Sequence, residues 1–236
     1  MVLSRFPIER QSQVHHDLVP PIEPPAFPAL PAEAQPGPLV WDRPLLLVKV
    51  ALDDGRPLHV LNLHLRAPTG SYLPGQKIGP FAWASIAGWA AASFLSGIKR
   101  SGQALEARLA IERLQAEDPD ALIAVCGDCN AVESEVPLRL LLASEEDTGN
   151  GALAAGSLVA IERSVPVDRR FSVIHHGRPQ LLDHILVSRA LYGRYRGLEI
   201  HNEALGDELV AYRSVESPPE SLHAPLVASF DSEPTR

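Results

Sequence analysis

The sequence predicts an α/β fold of the α+β type, in which two mixed, largely antiparallel sheets pack together with helices outside. Three observations point to this class. Strand and helix patterns alternate irregularly along the chain, several strands are joined by hairpin-like turns, and one long helix separates two apolar strands. The 236 residues suffice for a large buried core, and we expect a single domain spanning residues 1–236.

The composition narrows the class of protein. Hydrophobic residues make up 45% of the chain and charged residues 21%, which is ordinary for a soluble globular protein. The net charge of −8 provides no overall basic surface for nonspecific nucleic-acid binding. The opening residues lack the long apolar core of a signal peptide, so we expect a cytoplasmic protein.

The chain has two cysteines, Cys126 and Cys129, in a C-x-x-C arrangement. A lone pair is too few for a four-ligand zinc site, and no partner pair stands nearby at finger spacing. We therefore expect reduced thiols at the end of a strand.

The first part of the chain predicts a short strand and then an irregular segment. "VLSRFPIE" has the pattern of a strand. Residues 18–44 carry nine of the 22 prolines, which excludes a helix or a central strand. We expect this segment to be an extended surface loop within the domain.

The next elements are a hairpin and a long helix. "LLLVKVAL" and "PLHVLNLHL" flank "DDGR", and an Asp-Gly turn is a strong hairpin signal. Residues 101–117 predict a helix with Leu105, Leu109 and Leu114 on one face. Further strands are predicted in "DALIAVCGDCN", around the turn of "RRFSVIHHGRPQLLDHILVS", and in "HAPLVASF".

An apolar insert at residues 78–98 has no charged residue and is long enough to cross a bilayer. Alanine, glycine and serine dominate it, so a buried helix or a substrate-side loop is favoured over a membrane span. Its aromatic side chains Trp83, Trp89 and Phe94 suggest either a wall for a ligand or packing of the helix onto the sheet. Packing is the favoured interpretation.

Polar residues stand beside four of the apolar strands. They are Asn62, His64 and Arg66 in "NLHLR", Asp128 and Asn130 in "GDCN", Asp183 and His184 in "LLDHIL", and His223 in "SLHAP". Most isolated polar residues of this kind are structural groups with satisfied hydrogen bonds. Asp183 follows two leucines and precedes Ile-Leu-Val, so its carboxylate needs a partner, and a histidine is a natural one. An Asp–His pair fixes the imidazole tautomer and makes the other nitrogen a better base.

Five short motifs in order resemble the endonuclease/exonuclease/phosphatase superfamily, which includes DNase I-like nucleases. They are "LSRFPI", "LNLHLRAP", "GDCNA", "LLDHILVS" and "HAPLVASF", and together they span nearly the whole chain. The resemblance implies a four-layered α/β sandwich of two mixed sheets. It also implies hydrolysis of phosphoesters with a divalent cation, usually Mg²⁺.

The resemblance assigns roles residue by residue. His223 is implied as the catalytic base or acid at the phosphate, and Asp183 as the carboxylate that orients it. Asp128 and Asn130 are implied to position the attacking water, to contact the phosphate and to hold the metal. His64 is implied as a further catalytic phosphate contact. Asn62 and Arg66, which flank His64, are predicted to bind substrate.

Two departures from the family pattern concern the metal. The strands that carry the family's asparagine and its metal-binding glutamate would precede Met1, so we expect the fold to lack those first strands and to expose a sheet edge that promotes self-association. The aspartate of the family's Ser-Asp-His motif is Leu222 here. Leucine cannot bind Mg²⁺ or Mn²⁺, so weak metal binding and weak activity are expected.

Two functions from different classes follow. The first is a metal-dependent phosphoester hydrolase acting on nucleic acid, a phospholipid or a small phosphodiester. The alternative is a non-catalytic binding or scaffold protein that kept the fold. The retained set of polar strand-end residues favours the enzyme, because each is costly to bury without its partners.

Overall fold

The computed structural model describes residues 1–209 and 221–232. Its main element is a six-stranded mixed sheet with strand order β1-β2-β3-β4-β8-β5. Strands β3 and β4 run parallel, and the other neighbouring pairs run antiparallel. The strands of this sheet are β1 (Ile8–Val14), β2 (Leu45–Ala51), β3 (Pro57–His64), β4 (Leu122–Asp128), β5 (Leu158–Ala160) and β8 (Asp183–Ser188).

Two smaller antiparallel sheets accompany the main one. Strands β6 (Val173–His175) and β7 (Arg178–Gln180) form a short hairpin, while β9 (Tyr195–Ile200) pairs with β10 (Leu226–Phe230). The predicted fold class is confirmed: the protein is α/β, with a mixed, largely antiparallel main sheet, further sheets and few helices.

The described residues also include α-helices and short 3₁₀ turns. The α-helices are α1 (Ile86–Glu117), α2 (Val136–Leu142), α3 (Glu145–Thr148) and α4 (Arg189–Tyr192). The 3₁₀ turns are Ala32–Ala34, Gly151–Gly156, Ile161–Ser164 and Val167–Arg169. Helix α1 connects the parallel strands β3 and β4, as a parallel pair requires a long crossover.

Alternating side chains give the main sheet two apolar faces. On β8, Leu186 packs into the cluster shared with α1 and α2, whereas Ile185 and Val187 pack into a second cluster. That second cluster includes Leu198 of β9 and Phe230 of β10. Because strand side chains alternate with period 2, one strand supplies both layers. The sheet therefore lies between the helices and the β9–β10 sheet.

The strands around the Asp-Gly turn are confirmed as the hairpin β2–β3, with Gly55 at φ +79° in the turn. The first strand is placed later than the sequence pattern suggested. It begins at Ile8, and the preceding residues are not in a strand.

Helix α1 buries small side chains where leucines were expected. Ala104, Ala107 and Ile111 are fully buried against the sheet, whereas Leu105 and Leu109 are only partly buried. Small side chains let the helix axis approach the sheet closely. The face of α1 that contacts the sheet is therefore rich in alanine, and a search for large apolar residues at helical spacing does not find it.

The proline-rich segment is irregular, with one 3₁₀ turn, but it does not follow the surface along its whole length. Leu30 and Leu39 are buried against Leu95 on the first half of α1. Glu106 on the same helix is fully buried and accepts hydrogen bonds from the backbone N–H groups of Asp17, Leu18 and Val19, at 2.8, 2.5 and 2.9 Å. These contacts tie the segment to the helix, which the proline content alone did not indicate.

The apolar insert supplies the loop before α1 and its first turns. Trp83 packs on the cluster beneath the proline-rich segment, whereas Trp89 and Phe94 are about half exposed. The packing onto the sheet that was favoured for these aromatics is therefore wrong in its partner: Trp83 packs against the cluster shared with the proline-rich segment, and Phe94 makes an edge contact with Phe27 of that segment. Within the described residues, no helix combines the length and apolar character needed to cross a bilayer.

Both thiols are free, as predicted. Cys129 is buried, and burial raises the pKa of its thiol well above the ordinary value. Burial also raises the pKa of Cys126. The C-x-x-C pair is therefore neutral at physiological pH and is not set up as a redox motif.

Candidate active site

Polar side chains from three neighbouring central strands meet where β3 and β4 end and β8 begins. The backbone register pairs His64 of β3 with Asp128 of β4, and Asp128 with Asp183 of β8. All three side chains belong to the face that carries the β9–β10 sheet, because they alternate with residues directed at the helices. The strand periodicity alone thus gathers residues that are far apart in the sequence.

The G-D-C-N stretch has the backbone geometry that lets Asp128 stand beside β3. Gly127 has φ +135°, and a Cβ there would lie 1.9 Å from the carbonyl oxygen of Leu63, so no other residue fits. Asn130 has φ +47° and folds back onto Asp128. Its backbone N–H donates to Asp128 Oδ1 at 2.8 Å, and its Nδ2 donates to Asp128 Oδ2 at 3.0 Å.

Asp183 and His223 form the shortest side-chain contact in this cluster. The distance from His223 Nδ1 to Asp183 Oδ2 is 2.6 Å, and both side chains are mostly buried. This hydrogen bond raises the pKa of the His223 imidazole above its ordinary value. The pair therefore has the geometry of a carboxylate that fixes and polarises an imidazole.

The other side of the cluster holds Asp128 and His64. The distance between Asp128 Oδ2 and His64 Nε2 is 3.4 Å. Burial raises the pKa of the Asp128 carboxyl, and Asp183 raises it further, whereas burial lowers the pKa of His64. Two carboxylates and a neutral imidazole thus face one another at short range.

Asp128, Asp183 and His223 have the donor set of a cation site. One potential ligand atom from each lies within 4.8 Å of the others. Two carboxylate oxygens suit Mg²⁺ or Mn²⁺, and the imidazole suits Mn²⁺ better than Mg²⁺. The residues present therefore fit a divalent cation. Asn130, predicted with Asp128 as a ligand, lies beside this group through its two hydrogen bonds to Asp128.

Comparison with solved structures gives matches of low sequence identity. A Neisseria structure described as the 3′ phosphatase NExo bound to product DNA hairpin is 17% identical, with 97% of this chain and 73% of that chain covered and a TM-score of 0.47. An endonuclease/exonuclease/phosphatase from Beutenbergia cavernae is 18% identical, with 95% and 45% covered and a TM-score of 0.49. Truncated Caenorhabditis elegans TDP2 is 13% identical, with 86% and 60% covered and a TM-score of 0.45.

The Beutenbergia cavernae structure is described as an endonuclease/exonuclease/phosphatase. This is the superfamily that the five sequence motifs resemble. No protein-family model matches the chain, and no curated protein matches it. Every quoted TM-score lies below 0.5.

Of the two residues predicted to bind substrate, Asn62 lies beside the cluster of His64, Asp128, Asp183 and His223, whereas Arg66 is turned toward a neighbouring loop. Asn62 lies two residues before His64 on the same strand face, and its Nδ2 donates to the carbonyl of Cys126 at 3.3 Å. Arg66 extends beyond the strand, and its guanidinium pairs with Asp42 at 3.2 Å. The structure thus places Asn62 next to the cluster and engages Arg66 with a neighbouring loop.

The partly buried side chain of Leu222 precedes His223 at the point where the superfamily pattern has an aspartate. His184, next to Asp183, is buried on the opposite face of the sheet, and its Nε2 lies 3.0 Å from the carbonyl of Ala131. His184 is therefore outside the cluster, as its place in the strand predicted.

Sequence reasoning missed Ser172, which contacts this site. Its Oγ lies 2.7 Å from Asp183 Oδ2, and the residue is fully buried. It stands directly before the short strand β6 in "RRFSVIH", where a single serine carries no distinguishing pattern. The only available signal was a small polar residue at the start of an apolar strand.

Proposed function

We propose that this protein is a divalent-metal-dependent phosphoester hydrolase. The observation that supports it most strongly is that His223, from the segment before β10, comes within 4.8 Å of Asp128 and Asp183 on the adjacent strands β4 and β8. Paired carboxylates beside an oriented imidazole provide both a place for a cation and a group for proton transfer. This is the chemistry that hydrolysis of a phosphoester requires.

His223 is the proposed acid or base. The carboxylate of Asp183 accepts the hydrogen bond from Nδ1, so Nδ1 carries a proton and Nε2 is the nitrogen that exchanges one. The same bond raises the pKa of the His223 imidazole above its ordinary value, which favours the protonated form of the ring. Asp183 is then the residue that orients His223 and stabilises its charged form.

Asp128 and Asn130 are proposed to position the attacking water and the phosphate. Their mutual hydrogen bonds fix both side chains before substrate binds, which lowers the cost of ordering them. His64 is proposed as a phosphate contact, with Asn62 next to it on β3. Arg66 enters this proposal only as a more distant substrate contact, since its guanidinium pairs with Asp42.

Asp128 and Asn130, with the carboxylate of Asp183 beside them, are proposed to hold the cation, Mg²⁺ or Mn²⁺, while His223 keeps Nε2 for proton transfer. When bound, the cation would neutralise negative charge that develops on the phosphate oxygens. Leu222 contributes no ligand, so we expect weak binding of the metal and turnover that requires a high concentration of it.

The test measures hydrolysis of bis-p-nitrophenyl phosphate and of a DNA oligonucleotide with and without Mn²⁺ or Mg²⁺. We expect turnover that depends on the cation and falls by about 100-fold or more in His223→Ala, because proton transfer contributes roughly that much. His201→Ala is the control, since this exposed histidine pairs only with Glu199 in the described residues.

Turnover that survives His223→Ala, or that proceeds fully without a divalent cation, would contradict the proposed mechanism. Cation binding with no turnover of any phosphoester would favour the binding or scaffold alternative instead.

A further inference from the structure

Ser172 contacts Asp183 and the residue that follows His223. Its hydroxyl donates to Asp183 Oδ2 at 2.7 Å, and its carbonyl oxygen accepts the N–H of Ala224, the residue after His223, at 2.8 Å. The residue is fully buried, so water does not compete for these bonds. One serine thus links the strand that carries the carboxylate to the segment that carries the histidine.

The hydrogen bonds of this hydroxyl leave one possible place for its proton. Oγ accepts the backbone N–H groups of Leu182 and Asp183, both at 3.1 Å, which uses its two lone pairs. The single hydroxyl hydrogen therefore points at Asp183 Oδ2. That oxygen also accepts from His223 Nδ1, so the Ser172 bond and the His223 bond end on the same atom.

We infer that Ser172 is a positioning residue, which fixes the rotamer of Asp183 and through it the orientation and tautomer of His223. Removal of the hydroxyl would leave the partly buried N–H groups of Leu182 and Asp183 without this acceptor, and an unpaired donor shielded from water is costly. The neighbouring acceptor is the Asp183 carboxylate itself, so that group turns toward the backbone and away from His223. The kinetic consequence rests on the hydrolase proposed above, whereas the structural consequence does not.

Ser188 offers a matched control at the other end of β8. Its buried hydroxyl donates to the carbonyl of Ala121 at 2.7 Å and accepts the N–H groups of Ile123 and Leu191 at 3.1 and 3.3 Å. Ser188→Ala therefore also removes one donated and two accepted hydrogen bonds, but its acceptor is a neutral carbonyl and it lies at the end of β8 away from Asp183.

The kinetic experiment compares Ser172→Ala, Ser172→Thr and Ser188→Ala with the unsubstituted protein on bis-p-nitrophenyl phosphate with Mn²⁺. We expect Ser172→Ala to lower kcat by about 10- to 100-fold with KM nearly unchanged, since a hydrogen bond to a charged group is lost. Ser172→Thr keeps the hydroxyl and should restore most of kcat. Ser188→Ala should lower the Tm by a similar amount and leave kcat unchanged.

Equal loss of kcat in Ser172→Ala and Ser188→Ala would overturn the inference, because it would show a general effect on stability. Full kcat in Ser172→Ala would overturn it as well. Should Ser172→Ala fail to fold, Ser172→Cys keeps the side-chain volume with a much weaker donor and is measured in the same way.

A proton NMR spectrum tests the same inference without turnover. A short N–H···O⁻ bond of 2.6 Å should give a downfield imidazole N–H resonance, identified by its loss in His223→Gln. We expect the resonance to disappear in Ser172→Ala and to remain in Ser172→Thr and Ser188→Ala. Its persistence in Ser172→Ala, or its absence from the unsubstituted protein, overturns the inference. Inactivity with this NMR pattern would instead refute only the proposed hydrolase.

Discussion

Glu162 is a buried carboxyl group that the proposed chemistry does not use. It accepts the backbone N–H of Ile185, its Oε1 lies 3.8 Å from His184 Nδ1, and its Oε2 has no hydrogen-bond partner in the described part of the chain. Burial raises the pKa of this carboxyl from 4.5 to about 7. Between pH 4.5 and about 7, Glu162 is therefore protonated in the folded state but already deprotonated in the unfolded chain.

We predict that Glu162 makes the protein less stable as the pH rises from 4.5 to about 7. The sign follows from linkage: the folded state binds more protons in this window, so the free energy of unfolding falls by about 3 kcal/mol through this one group. Glu162→Gln keeps an acceptor for Ile185 and removes the titration. The variant should match the unsubstituted protein at pH 4.5 and exceed its stability above pH 7.

Urea unfolding at several pH values checks this prediction. Burial lowers the pKa of His184, which opposes the trend, but the difference between the two proteins largely removes that contribution. Glu199→Gln serves as the control because Glu199 is exposed and lies at the surface beside His201. A stability difference that does not change with pH would show that Glu162 does not titrate as expected.

Single residues differ in how well the sequence foretold them. Asp128, Asp183 and His223 could be singled out because each polar group stands at the end of an apolar strand or just before one, where a buried group needs a partner. Ser172 and Glu162 were not identifiable, since a single serine before a strand and a single glutamate outside one are both ordinary in surface composition. Their contacts depend on which backbone groups the fold leaves unpaired, and this is a tertiary property.

At the scale of elements, Glu106 connects α1 to the proline-rich segment. Its carboxylate accepts N–H groups from Asp17, Leu18 and Val19, and the residue is fully buried. Prolines cannot donate backbone hydrogen bonds, so a segment rich in them depends on such side-chain contacts and on apolar packing for its position.

We predict that Glu106→Gln loosens this segment. The amide nitrogen would replace one acceptor oxygen by a donor that faces backbone N–H groups, at a cost of about 3 kcal/mol. Limited proteolysis should then cleave within residues 15–44 before the rest of the chain. Glu112→Gln is the control on the same helix, because Glu112 is exposed and pairs with Arg108 at 2.7 Å. Equal cleavage of both variants would contradict the anchoring role.

The elements that the sequence predicted best are those with a strong local code. The β2–β3 hairpin follows from its Asp-Gly turn, and β4 from its continuous apolar run. The contact face of α1 did not follow, because Ala104 and Ala107 pack by their small size. The first turns of α1 also did not follow, because Ile86, Trp89 and Phe94 are apolar and yet exposed to solvent.

At the scale of the whole molecule, the candidate site lies across two sheets. Asp128 and Asp183 belong to the main sheet, whereas His223 precedes β10 of the smaller sheet. The two sheets meet through the apolar cluster that contains Val187 and Phe230. The sequence motifs named the residues of the site, but its assembly depends on this packing, which no single motif encodes.

We therefore predict that the contact between His223 and Asp183 depends more on the packing between the two sheets than on the free energy of unfolding of the whole protein. Leu186 and Val187 are both fully buried neighbours on β8, but Leu186 faces the helices and Val187 faces the β9–β10 sheet. Leu186→Ala should cost about 3 kcal/mol and Val187→Ala less, because the cavity left by a leucine is larger. Even so, Val187→Ala should weaken the contact between His223 and Asp183 more, since it removes packing that holds the smaller sheet in place.

The measurement follows kcat and the downfield imidazole resonance in both variants at a temperature at which each remains folded by circular dichroism. Loss of the resonance and a lower kcat in Val187→Ala, with both retained in the less stable Leu186→Ala, would show that docking of the smaller sheet sets the geometry of the site. If the losses instead follow the free energy of unfolding in both variants, the site depends on the fold as a whole, and the face to which a side chain belongs has no separate effect.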